Sequence, residues 1–129
     1  MKQAYLRFPR NEWGVAVVYD FDTYLEHDVM VEQMRSFGMT IRNAEKALSI
    51  LSGYNTGMAV SNETLKMSAI YISQSTSPSE FYSTAIHECI HVADSILDWY
   101  GESWHGESSA YLVGFLTKEI VEMIGEPCR

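Results

Sequence analysis

The sequence predicts one α+β domain, a small mixed sheet of about three strands packed against a long helix and a shorter helix that follows it. Two observations carry this. A short β-branched run near the start and a hairpin pattern ahead of residue 74 supply strands, and apolar residues at helical spacing occupy the last part. With 129 residues, 47% of them hydrophobic, and no repeat or Pro/Ser-rich linker, a single domain spanning 1–129 is expected.

Gly14-Val15-Ala16-Val17-Val18-Tyr19 reads as the first strand, left by Asp20-Phe21-Asp22. A helix from about Leu25 to Phe37 stops at Gly38. A second is capped by Thr40, ends at Gly53 and turns Ile41, Ala44, Ala47, Leu48 and Leu51 to one face. Gly57–Val60 and Leu65–Ser73 flank the polar Ser61-Asn62-Glu63-Thr64 and predict a hairpin, with the segment Ser68–Ser73 placed at the sheet edge. Ser77-Pro78-Ser79-Glu80 announces the long helix by a capping residue, proline in the first turn and a glutamate three residues after the cap. Apolar residues from Phe81 to Tyr100 then recur at helical spacing until Gly101. A last helix, about Gly106 to Ile124, stops at Gly125-Glu126-Pro127.

Composition narrows the function classes. The net charge is −8 and the nine basic residues are scattered singly, which argues against nucleic acid as a partner. Apolar runs are far shorter than the roughly 20 residues that span a bilayer, and the first residues lack the apolar core of a secretory signal, so a cytoplasmic protein with no membrane partner is expected. Two cysteines, Cys89 and Cys128, are too few for a disulfide framework and agree with a reducing compartment.

The chemistry lies in His87-Glu88-Cys89-Ile90-His91, which fits H-E-x-x-H. On a helix, residues four apart project from one face, roughly 6 Å along the axis, so two imidazoles can converge on one ion. Zinc suits neutral imidazole nitrogens, and Glu88, beside the pair, can hydrogen-bond a water as general base. Cys89 faces away from that pair and reads as a core residue. A catalytic zinc typically takes three protein ligands. Glu107 is the preferred third, because an antiparallel return after Gly101 would bring it alongside, with Ala110 and Gly114 letting the two helices approach closely. His105, Asp94 and Glu102 are the alternatives, and Asp94 could instead orient an imidazole from outside.

His87–His91 followed by Glu107-Ser108-Ser109-Ala110-Tyr111 resembles the gluzincin-type metallopeptidases, in which a second helix supplies a glutamate ligand. The short spacing and preceding strands are similar to compact ImmA/IrrE-like peptidases and to small phage- or prophage-encoded proteins. This resemblance covers roughly the last 70 residues, and only H-E-x-x-H is sharply specific within it. It implies a minimal zincin-like fold, one zinc held by His87, His91 and Glu107, and peptide-bond hydrolysis by water activated on the metal with Glu88 as general base. Tyr111 or His105 would steady the oxyanion, and a protein or peptide substrate could lie along the sheet edge. Two rival readings are a zinc-stabilised interaction module without catalysis, and a zinc hydrolase of a non-peptide amide.

Overall fold

The computed structural model describes residues 1–8, 12–53, 56–103 and 106–125. His105, Cys128 and the terminal Glu126-Pro127 lie outside the described residues. Eight elements follow in order: β1 (Lys2–Arg7), β2 (Gly14–Phe21), α1 (His27–Ser36), α2 (Ile41–Leu51), β3 (Gly57–Asn62), β4 (Met67–Ser73), α3 (Pro78–Trp99) and α4 (Glu107–Ile124). The α+β expectation holds, with four helices and a mixed sheet.

That sheet has four strands rather than about three, in the order β1-β2-β4-β3. The additional strand is β1, antiparallel to β2. It is exposed at most positions, with Leu6 buried and Ala4 partly so, because one side of an outer strand faces water. β2 pairs parallel with β4, and β3 pairs antiparallel with β4. The segment Ser68–Ser73 therefore lies inside the sheet, and the edge on this side is β3.

The hairpin turn also falls two residues later than its polar run suggested. Ser61 and Asn62 belong to β3, paired with Ser68 and Met67. The Ser61 and Ser68 hydroxyls meet at 2.7 Å, and Trp13 Nε1 donates to the same Ser68 oxygen at 3.0 Å. Asn62 accepts from Leu65 N–H at 3.2 Å and donates to the Phe37 carbonyl at 3.0 Å. Polar side chains here extend the strand because each has a partner on the neighbouring segment.

Both faces of the sheet are covered. Alternation along β4 sends Ile70 and Ile72 into a core with α3 and α4, and Ala69 and Tyr71 into a second core with α1 and α2. Helices thus form outer layers on either side. Ala44, Ala47, Leu48 and Leu51 of α2 are buried as expected, whereas Ile41 is exposed in the first turn. Thr40 caps that helix, accepting from Asn43 N–H at 3.1 Å. Among the described residues no helix is long and apolar enough to cross a membrane.

Candidate functional site

α3 begins where its capping residues place it, with Ser77 Oγ accepting from Glu80 N–H at 3.2 Å and Pro78 in the first turn. Phe81, Ala85, Cys89, Val92, Ala93 and Ile96 bury one face of it against the sheet and α4. That burial fixes the rotation of the helix about its axis. It leaves His87, His91 and Asp94 on the solvent side and sets Glu88 between the two environments. Cys89 points into the core as expected; burial, reinforced by the Glu88 charge, pushes its thiol up to about 12.

The two imidazoles lie with ring centres 5.1 Å apart, inclined by 67°. A zinc–nitrogen bond of about 2.0–2.1 Å puts a ring centre roughly 3.2 Å from the ion, so two imidazoles on one tetrahedral ion sit roughly 5 Å apart. The observed separation of the ring centres equals that spacing.

Glu88 is only 6% exposed. Burial holds its carboxyl above the usual carboxylate range, and charge on His91 and His87 works in the opposite direction. Its side chain lies against the backbone of Gly57 at the start of β3. A Cβ at position 57 would stand 3.3 Å from Glu88 Cγ and would collide with the Thr84 methyl. The missing side chain lets strand and helix approach this closely. Beside it, the Thr56 and Thr84 hydroxyls bond at 3.1 Å.

A groove of about 490 Å³ runs between these elements. α3 contributes His87, Glu88, His91, Asp94 and Ser95; β3 contributes Gly57, Met58 and Ala59; α2 contributes Ile50. The sequence reading did not include the β3 residues. Their signal was a glycine opening the strand, which marks a close backbone approach, but which element would approach is a long-range matter.

The residues proposed from α4 are placed elsewhere. Tyr82 donates its hydroxyl to the Gly125 carbonyl at 2.5 Å, fixing the antiparallel register of α3 on α4. By that register Glu107 is level with about Tyr100, roughly 13 Å along the axis beyond His91. Glu107 is exposed and does not line the groove. Ala110 and Gly114, expected between the helices, are exposed as well, and a Cβ on Gly114 would meet nothing within 4 Å. The inner face of α4 is Ser109, Leu112, Leu116 and Ile120. Tyr111 is 48% exposed, stacks on Phe115 with ring centres 6.2 Å apart, and is also away from the groove. Glu102 is exposed in the α3–α4 turn. Among the described residues no three His, Cys, Asp or Glu side chains are grouped so as to hold a metal ion. What the fold assembles is the histidine pair, the buried glutamate and an open strand.

No protein-family model, curated protein or solved structure matches the chain.

Proposed function

We propose that this protein is a zinc-dependent hydrolase of the gluzincin-like kind, cleaving peptide bonds in an extended protein or peptide segment. The observation that carries this reading is the spacing of His87 and His91, 5.1 Å between ring centres, with a buried carboxylate next to them at a sheet edge. His87 and His91 would hold the ion. Zinc, when bound, supplies a Lewis acid that polarises a carbonyl and lowers the pKa of water.

The protein's own groups do the rest. Glu88, with its proton affinity increased by burial, takes the proton of the attacking water and returns it to the leaving amine. Gly57 keeps that carboxylate in place by leaving room for it. The main chain of β3 offers hydrogen bonds to an extended substrate, which would bring its carbonyl over the histidine face of α3. Asp94, in the same groove, is suited to orient an imidazole. Among the described residues no third donor is grouped with the pair, and His105, one of the candidates from the sequence, lies outside them.

The test joins metal content to turnover. Protein purified without added metal or a histidine tag is expected to carry about one zinc per chain. Glu88→Gln should keep that zinc while losing about 100- to 10,000-fold in the rate of peptide cleavage, the range a positioned general base supplies. A native chain that takes up no zinc on titration sinks the reading. A native chain that binds zinc and cleaves small amides but no peptides moves it to the non-peptide alternative.

A further inference from the structure

A second groove lies along the same strand as the groove of His87 and His91. It measures about 400 Å³ and is lined by the apolar Met39, Ala47, Ile50, Met58 and Val60 together with the polar Thr40, Asn43 and Lys46. Ile50 and Met58 line both. The two therefore meet at the edge of β3, the first reaching towards α3 and the second towards α2.

The pairing of β3 states what could occupy them together. Ser73 N–H donates to the Thr56 carbonyl at 3.0 Å, which sets the alternation of the antiparallel ladder. Met58, Val60 and Asn62 turn their main chain towards β4. Gly57, Ala59 and Ser61 turn theirs to the open edge. A chain added at that edge inherits the pleat, so its successive side chains go to opposite faces. Residues on one face meet His87, His91 and Glu88; those between them meet Met39, Ala47 and Val60.

We infer that the second groove is a specificity subsite, taking an apolar side chain from the substrate residue adjacent to the one held over His87 and His91. This deepens the proposed function and rests on its reading of β3 as the strand that receives substrate. The occupant is an unbranched or γ-branched apolar residue such as leucine, methionine or phenylalanine, because Met39, Ala47, Ile50, Met58 and Val60 make up the apolar part of the lining and the methionines adapt to its shape. Lys46 at the rim opposes a basic one.

The probe is a series of blocked threonine-rich heptapeptides that differ at a single position, carrying leucine, methionine, phenylalanine, glycine or lysine. Affinity is read by fluorescence anisotropy on the zinc-loaded Glu88→Gln chain, so that nothing is cut during the measurement. The apolar peptides are expected to bind about tenfold or more tighter than those with glycine or lysine, the discrimination that a few buried methylenes give. Asn43→Trp, which fills the second groove from the exposed face of α2, should reduce that preference to within about twofold. Lys46→Glu, an exposed change, should strengthen the lysine peptide about tenfold relative to the native rim.

Equal affinities across the series, or a preference unchanged by Asn43→Trp in a protein with native circular dichroism, overturns the subsite. So does pairing of the β3 edge with a second copy of the chain that the peptides do not compete away. Mass spectrometry of the same peptides with the native enzyme separates the two ideas. Preferential binding without cleavage keeps the subsite and removes the peptidase; cleavage indifferent to the varied residue does the reverse.

Discussion

α3 and α4 pack on the same face of the sheet, yet they treat their polar residues differently. α3 is rotated so that His87 and His91 border the groove and Glu88 is buried beneath β3. α4 is rotated so that Glu107, Ala110, Tyr111 and Gly114 face outward, and Leu112, Leu116 and Ile120 face the core. A helix carries part of its side-chain geometry within itself and takes the rest from its neighbours. Separation of side chains four apart is intrinsic to one helix, so the histidine pair is set before any packing occurs. The distance between residues on two helices depends on register and on rotation of both, and those follow the largest apolar stripe.

The comparison is sharpest in metal binding. His91→Ala is expected to weaken zinc by about 100-fold or more, because it removes one of the two imidazoles proposed to hold the ion. Glu107→Ala is expected to leave affinity within about twofold, since α4 holds that carboxylate roughly 13 Å further along. Competition with a chromophoric chelator measures both. Equal losses in the two variants would mean that α4 turns and slides when the ion binds, and would collapse the contrast drawn between the helices.

Stability probes the same contrast more finely. Leu116→Ala, at a fully buried position, should cost about 2–5 kcal/mol of unfolding free energy in denaturant titration. Gly114→Ala, two residues away on the open face, should instead stabilise by about 0.5–1 kcal/mol, because alanine is the better helix former and a Cβ there meets nothing. A large loss at position 114 would show that the small residues lie between the helices after all.

These elements also mark what could be read from the sequence. α3 was legible because cap, proline and apolar period agreed, and the histidine pair was legible with it. So were α1, α2 and the β-branched run of β2, which is buried on both faces. β1 was not, because an outer strand with one buried side chain resembles a polar tail until its partner is known. The edge position of β3 depends on β2 pairing with β4 across the whole α1–α2 connection, which no local pattern records. On α4, the stripe Leu112, Leu116 and Ile120 was available at helical spacing, and it outweighed the small residues Ala110 and Gly114 because burying large side chains contributes more. For the groove, Gly57 was the one local sign of a close approach.

The position of β3 has a consequence for what can reach the histidines. The strand is six residues long, and α3 and α2 both pack against it from opposite sides of the sheet. On the proposed function, a guest would pair with β3 as a single extended chain, since the edge of another folded sheet brings its own covering layers with it. Access would then depend on the conformational state of the guest. A folded protein would become a substrate only through a terminus, a long loop or a segment that has come unfolded, and its susceptibility would follow the free energy of that local opening.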